Sequence, residues 1–108
     1  MLVISYTGAP IEGEVLAGIE EEGVPFVFER TSDLRDAGIL ARLAADRSSL
    51  DVGVGIDAEG RVCILHEKLP EPLPGLTTPR NATRRQARDA GHNAARVVVG
   101  IPLLTHER

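Results

Sequence analysis

The spacing of apolar and polar residues along the chain predicts strands and helices in alternation. Four short apolar runs, rich in β-branched residues, predict strands over 2–6, 25–30, 50–57 and 61–66. Three longer stretches repeat apolar residues every third or fourth position and predict amphipathic helices over about 11–22, 33–47 and 82–98. A final apolar segment, 100–104, is expected to close the chain as a short strand or extended tail.

The order of these elements predicts a three-layer α/β/α domain that spans residues 1–108 as a single unit. Right-handed crossovers place helices on both faces of a mainly parallel, five-stranded sheet. The connection Ala58-Glu59-Gly60 is a short hairpin turn with glycine where a positive φ is wanted. Strand 61–66 is therefore expected to be the one antiparallel strand.

Local signals set the expected ends and buried faces of the first two helices. Gly23 is a natural left-handed stop for the first helix, and Pro25 prevents it from resuming. Thr31 and Ser32 are the candidate N-caps of the second helix. That helix is expected to be buried through Leu34, Leu40, Leu43 and Ala44.

Composition limits the kind of protein this is. Apolar residues make up 43% of the chain and aromatic residues only 3%, so aliphatic side chains must build the core. Cys63 is the only cysteine, which excludes an internal disulfide and a cysteine zinc site. No apolar run approaches the roughly 18 residues that cross a bilayer, and the opening MLVISYTGAP lacks the pattern of a signal peptide. We therefore expect a cytoplasmic protein with no membrane contact.

Charge is distributed unevenly along the chain, whose net charge is -4. Residues 1–60 carry a net charge of -8, and residues 61–108 carry +4. Such asymmetry can steer a partner onto one side of a molecule, or it can mean only that neighbouring helices differ in sign. Both explanations stay open at this point.

Neither of two common nucleotide-binding signatures is expected to function in this chain. GVGIDA (53–58) has the letters of a dinucleotide-binding turn, but its glycines lie inside a predicted strand that is followed by another strand. No helix N-terminus is then available for a pyrophosphate. Gly53 and Gly55 point the same way and more simply allow a helix to pack closely. The chain also lacks a phosphate-loop sequence, so it is not expected to hydrolyse ATP alone.

The candidate catalytic residues do not form a known arrangement. His66, His92 and His106 are far apart, and none pairs with Cys63 or a serine at a catalytic spacing. His66 is most simply a residue at the end of a strand. With no paired acid and base and no complete metal cluster, the chain is not expected to be an enzyme.

The third helix is rich in arginine. Arg85, Asp89, His92 and Arg96 should form a polar, exposed stripe with internal ion pairs, opposite a core seam of small apolar residues. A second set of basic side chains has the charge to bind nucleic acid: Arg80, Arg84, Arg85 and Arg88. It has no interleaved aromatic residues and the whole chain is acidic, so we expect no nucleic-acid partner.

Three consecutive carboxylates, Glu20 to Glu22, end the first predicted helix. Negative charge is unfavourable at the carbonyl end of a helix, by about 0.3–1 kcal/mol for each exposed group. The helical wheel places Glu21 away from the core, on the stripe that it shares with Glu14, Ala17 and Gly18. The small residues would let another surface come close, and Glu21 would project toward it. This run is either a solvated helix end or a site where Glu21 binds a partner's arginine or a hard metal ion.

Three segments carry a family resemblance. GIEEEGVPF (18–26), LAADRSSLDVGVGIDAEGRVCILHEKLP (43–70) and AGHNAARVVVGIPL (90–103) resemble, in order and spacing, the small subunit of diol/glycerol dehydratase reactivating factors. These factors serve the adenosylcobalamin-dependent dehydratases. Residues 31–42 and 71–83 match the family pattern poorly.

The resemblance implies a noncatalytic subunit that pairs with a large, chaperone-like ATPase subunit in a heterotetramer of two large and two small chains. The small subunit is similar to the β subunit of the dehydratase. It can therefore exchange places with that β subunit on the dehydratase α subunit, which releases damaged cobalamin. ATP and ADP belong to the large subunit. The expected cellular location is the cytoplasm, or a bacterial microcompartment.

The resemblance also implies a role for one residue of the carboxylate run. In family members the second Glu of this helix end contributes an oxygen ligand to a Mg²⁺ or Ca²⁺ ion that the large subunit holds. That position is Glu21, with Glu20 and Glu22 as substitutes if the register slips by one. The chain alone is expected to bind no cofactor, and Glu14, Ala17 and Gly18 are its candidate interface residues.

Two other interpretations remain. The chain could be a homologue of the dehydratase β subunit that contributes to a cobalamin pocket without exchanging places. It could instead be a small α/β binding or regulatory domain that docks through its arginine-rich third helix.

Overall fold

A computed structural model describes residues 1–71 and 76–100 of the chain. In these ranges the elements are β1 (Leu2–Tyr6), α1 (Glu12–Glu21), β2 (Val27–Thr31), α2 (Ala37–Arg47), β3 (Val52–Ile56), β4 (Val62–His66) and α3 (Arg84–Val99). None of the helices in these ranges is long and apolar enough to cross a membrane. The predicted closing strand, 100–104, lies outside the described residues except for Gly100.

The described strands form one sheet in the order β2-β1-β3-β4. β1 is parallel to both of its neighbours, with Leu2 aligned to Val27 on one side and to Gly53 on the other. β4 runs antiparallel to β3 after the hairpin turn, in which Gly60 has the positive φ of 77° that the sequence predicted. The mainly parallel sheet with one antiparallel strand is confirmed. Its fifth strand was predicted from residues beyond the described part.

The helices cover both faces of this sheet, which confirms the three-layer architecture. On one face, Ala37, Ala41 and Ala45 of α2 pack against Cys63 and Leu65 of β4. On the other face, α1 and α3 pack against the inward side chains of the strands. The buried residues of that larger core include Val15, Ile19, Val54, Ile64, Ala90 and Ala94.

Two glycines of β3 allow α2 to lie directly on the sheet. A Cβ atom at Gly53 would lie 2.1 Å from the backbone nitrogen of Ala45. At Gly55 it would lie 2.2 Å from the carbonyl oxygen of Ala37. These distances are far below van der Waals contact, so both positions need glycine because the helix backbone occupies the space of a side chain.

The start of α2 differs from the prediction. Asp36, and neither Thr31 nor Ser32, caps the helix, with its Oδ1 accepting from the Ile39 backbone N–H at 2.9 Å. The buried carboxylate of Asp57 accepts from the Ala37 N–H at 3.2 Å and so fixes the first turn against the β3–β4 hairpin. The predicted start at residue 33 was wrong because these two acids, one of them distant in sequence, hold the chain in place.

Two of the leucines predicted to bury α2 are exposed. Leu34 precedes the helix and is 74% exposed, and Leu43 lies on the face of α2 away from the sheet and is 39% exposed. Leu40 and Ala44 are buried as predicted. The later start of the helix explains Leu34, because the residue never enters the helical stripe that faces the core.

Candidate functional site

Helices α1 and α3 touch each other through their backbones. A Cβ atom at Gly18 would lie 2.3 Å from the carbonyl oxygen of Arg88, and one at Gly91 would lie 2.1 Å from that of Val15. Glycine at both positions removes the side chains that would hold the helices apart. Polar residues on either side of this contact are thereby brought within hydrogen-bonding reach of the opposite helix.

The sequence around α3 fixes where its basic side chains begin. Thr83 and Gln86 form a capping box, in which the Gln86 N–H donates to Thr83 Oγ1 at 3.0 Å and the Thr83 N–H donates to Gln86 Oε1 at 2.8 Å. From this start, four basic residues follow at intervals of four: Arg84, Arg88, His92 and Arg96. That spacing places them along one side of the helix.

These basic residues meet the acids of α1 in order along both helices. Glu14 accepts from Arg84 Nε at 3.1 Å through its Oε2. Its Oε1 accepts from Arg88 Nε at 3.0 Å. Arg88 also donates from Nη1 to Glu21 Oε2 at 2.9 Å, so its guanidinium bridges two carboxylates that lie two turns apart on α1.

His92 continues the same series. Its Nε2 lies 2.9 Å from Glu21 Oε1, and its Nδ1 lies 2.7 Å from Glu22 Oε2. Only the imidazolium form carries a donor on both ring nitrogens, so that form satisfies both carboxylates. Arg96 then donates from Nε to Glu22 Oε2 at 3.2 Å. We call the set Glu14, Glu21, Glu22, Arg84, Arg88, His92 and Arg96 the α1–α3 ladder.

The ladder explains how α1 tolerates carboxylates at its carbonyl end. The hydrogen bond from His92, followed by the charge of Arg96, lowers the pKa of Glu22. In the first turn of α1, the hydrogen bonds from Arg84 and then Arg88 lower the pKa of Glu14. The cations of α3 thus offset the unfavourable helix dipole at the end of α1.

The three acids of the ladder differ in exposure. The side chain of Glu21 is 52% exposed, compared with 20% for Glu14 and 18% for Glu22. Glu21 therefore lies at the outer edge of the helix pair, as the helical wheel indicated, although it is not unpaired. Glu20 is exposed and makes no side-chain hydrogen bond or ion pair with any other residue of 1–71 or 76–100.

The structure changes the interpretation of the residues that were predicted to face a partner. Gly18 is buried, and the surface that comes close to it is α3 of the same chain. Glu14 is turned to the same helix, whereas Ala17 is half-buried. The close neighbour of Gly18 is thus internal, and contact of Glu14, Ala17 and Gly18 with a partner subunit stays a prediction.

The predicted polar stripe of α3 is divided between solvent and α1. Arg85 and Asp89 pair along the helix at 4.0 Å, as expected, and Arg85 is exposed. His92 and Arg96 face the acids of α1, so their part of the stripe was wrongly predicted to be exposed. The interhelical pairs were missed because their members lie about 70 residues apart. The signal available was the matching spacing of acids on one helix and bases on the other.

Comparison with known proteins identifies the family. The profile described as "Dehydratase medium subunit" matches residues 4–104. The chain belongs to the dehydratase medium subunit family. A propanediol dehydratase-reactivating factor small subunit of Citrobacter freundii is 42% identical over 83% of this chain and 76% of that protein. The diol dehydratase-reactivating factor small subunit of Klebsiella michiganensis is 39% identical over 82% of this chain and 70% of that protein.

Solved structures show the same fold across nearly all of the chain. One is described as the structure of diol dehydratase-reactivating factor complexed with ADP and Mg²⁺. It has a TM-score of 0.85 and 32% identity, and the match covers 97% of this chain and 96% of that one. A glycerol dehydratase reactivase matches with a TM-score of 0.81 and 32% identity over 95% of each chain. The resemblance to reactivating-factor small subunits is confirmed.

The family resemblance implies a metal at Glu21, and the side chains present fit a shared site. Glu21 offers half-exposed carboxylate oxygens, the ligands that Mg²⁺ and Ca²⁺ prefer. Among residues 1–71 and 76–100, no group of three or more His, Cys, Asp or Glu side chains is placed to hold a metal ion. A metal at Glu21 would therefore take its other ligands from outside the described part of the chain.

The ladder predicts how the stability of this family member depends on pH. A carboxyl group whose pKa is lower in the folded chain stabilises the fold above its unfolded pKa, and this contribution is lost as pH falls through the folded pKa. Because the pKa of Glu14 is lowered, the free energy of unfolding should decrease between about pH 5 and pH 3. Glu14→Gln should show a smaller decrease.

Urea unfolding at pH 7, 5, 4 and 3 measures this difference. Glu20→Gln is the matched control, because Glu20 is exposed and makes no ion pair within the described ranges. It should keep the wild-type dependence on pH. Equal slopes for Glu14→Gln and wild type would contradict the assignment.

Proposed function

We propose that this chain is the noncatalytic small subunit of a reactivating factor that releases damaged cobalamin from an inactivated diol or glycerol dehydratase. The observation that carries the proposal is the match to the diol dehydratase-reactivating factor, with a TM-score of 0.85 over 97% of the chain at 32% identity. The identities of 39% and 42% to reactivating-factor small subunits support the same function.

In this proposal the chain works by taking the place of another subunit. A large partner subunit binds and hydrolyses ATP, and two large and two small subunits form the complex. The small subunit exchanges with the β subunit of the dehydratase on the dehydratase α subunit, which opens the inactivated enzyme. The cycle takes place in the cytoplasm, in solution or within a microcompartment. The shared family of reactivase and dehydratase subunits supports the exchange, because exchange requires similar folds.

Glu21 is the residue that we assign to the interface with the large subunit. Its carboxylate would complete a Mg²⁺ or Ca²⁺ site whose other ligands belong to that subunit, and the metal would couple nucleotide state to subunit affinity. Both Glu21 and Glu22 are held by two α3 side chains, but the exposure of Glu21, 52% against 18% for Glu22, favours Glu21 as the ligand. Glu20 is exposed as well and remains the alternative ligand.

A reconstituted reactivation assay tests the proposed function. Inactivated dehydratase would be incubated with ATP, Mg²⁺ and intact coenzyme, together with the large subunit, this chain, or both. Recovery of dehydratase activity is expected only when both subunits are present, because neither alone can exchange and bind nucleotide. Recovery with the large subunit alone, or none with both subunits and a matching dehydratase, would contradict the proposal.

A second candidate function follows from the family description, which names a dehydratase subunit and not a reactivase. The chain would then contribute to a cobalamin pocket as a dehydratase β-subunit homologue. Titration of the purified chain with cobalamin, followed by absorbance, separates the two. The reactivase function predicts no tight binding, and the dehydratase function predicts a saturable spectral change.

A further inference from the structure

The departure of Glu21 from the α1–α3 ladder would leave each of its two partners with another carboxylate. Arg88 also donates to Glu14 at 3.0 Å, and the Nδ1 of His92 lies 2.7 Å from Glu22. If Glu21 turned away, neither partner would lose its last anion. Glu21 can therefore leave the ladder without depriving Arg88 or His92 of its other carboxylate.

The same geometry makes Arg88 a competitor for any cation that binds Glu21. Its Nη1 lies 2.9 Å from Oε2 of that carboxylate, and the other oxygen faces His92. A divalent ion on Glu21 would be repelled by the nearby guanidinium, and it must replace at least part of the ion pair. Arg88 is 36% exposed, so solvent screens this repulsion but does not remove it.

We propose that Arg88 is a positioning residue that holds Glu21 in the free chain and sets the concentration of divalent metal at which Glu21 is released to the partner subunit. Glu14 is the second part of this device, because it keeps Arg88 paired after Glu21 has left. The inference rests on the proposed role of Glu21 at a shared metal site. It adds Arg88 as the internal cation that the metal must displace from Glu21, and Glu14 as the internal anion that keeps Arg88 paired.

Two substitutions should shift the metal dependence in opposite directions. Arg88→Gln removes the competing charge, and the Mg²⁺ concentration for half-maximal association with the large subunit should fall about threefold to tenfold. Glu14→Gln leaves Arg88 with Glu21 as its remaining partner in the ladder, so the same midpoint should rise about twofold to fivefold. A general loss of structure would weaken association in both variants and could not produce opposite shifts.

The measurement is a binding titration of labelled full-length chain with the large subunit at a series of Mg²⁺ concentrations. Arg84→Gln is the matched control. Arg84 lies one turn before Arg88 on α3 and contacts Glu14, but it does not contact Glu21. It should leave the midpoint within about twofold of wild type. Arg88→Lys keeps the positive charge and should return the midpoint toward the wild-type value.

Failure of this inference and failure of the proposed metal role give different results. If Glu21→Gln leaves the Mg²⁺ dependence unchanged, Glu21 is not a ligand and the proposed role is wrong. If Glu21→Gln abolishes the dependence but Arg88→Gln behaves like Arg84→Gln, the metal role stands and the competition is overturned. A rise in the midpoint for Arg88→Gln would also overturn it, because Arg88 would then assist metal binding.

Discussion

Gly18→Ala is expected to lower the free energy of unfolding by about 3 kcal/mol, the upper part of the usual range for overpacking. The added methyl group would lie 2.3 Å from the carbonyl oxygen of Arg88 and 3.0 Å from the backbone nitrogen of His92. Both obstacles are backbone atoms of a helix, so no change of rotamer can make room. Helices α1 and α3 must separate, which also lengthens the ion pairs of the ladder.

Gly13→Ala is the control, because the same substitution in the same helix meets nothing within 4 Å. Alanine is preferred to glycine inside a helix, so the free energy of unfolding of this variant should rise by about 0.5–1 kcal/mol. Urea unfolding followed by circular dichroism measures both changes. A loss for Gly18→Ala no greater than 1 kcal/mol would show that the backbone contact between α1 and α3 is not tight.

The sheet and its layers could be predicted because their signals are local. Strands β1, β3 and β4 are continuous apolar runs, and the turn at Gly60 sets the direction of β4. The paired glycines of β3 indicated a close helix before any partner was known, and α2 occupies that space. Each of these features depends on residues within one element or one turn.

The start of α2 could not be predicted in the same way. Four residues, Thr31, Ser32, Asp33 and Asp36, had side chains able to cap a helix. The choice among them depends on Asp57, which lies 20 residues after Ala37 and accepts its N–H. Periodicity alone does not indicate this contact. The prediction that Leu34 is buried was wrong for the same reason.

The candidate site was likewise predicted only where its features follow from local geometry. A helical wheel correctly placed Glu21 on the outer side of α1, since that position follows from the helix geometry alone. It could not show that Arg88 and His92 lie on that side, because their contacts join residues 67 or more positions apart. The family was recognisable from three segments in order, whereas the role of Glu21 as a metal ligand remains a prediction.

Glu21→Gln is expected to abolish the dependence on divalent metal of association with the large subunit, and to weaken that association about tenfold or more in Mg²⁺. Direct ligands matter at least as much as the groups that support them, whose loss weakens metal affinity by about 10-fold to 100-fold. The free energy of unfolding should change by less than about 1 kcal/mol, because Glu21 is half exposed and its partners keep Glu14 and Glu22.

Glu20→Gln separates a metal ligand from a general effect of charge at this helix end. It removes the same unit of charge from the neighbouring position, where the side chain is exposed and unpaired among the residues described. A long-range electrostatic effect should be similar for the two variants, because neighbouring charges lie at similar distances from the partner, whereas a coordinated oxygen belongs to one position. Equal losses would therefore argue for long-range attraction to the large subunit, and a loss confined to Glu20→Gln would move the ligand by one residue. Only a loss specific to Glu21→Gln, and restricted to solutions that contain the metal, agrees with a carboxylate completing a partner's cation site.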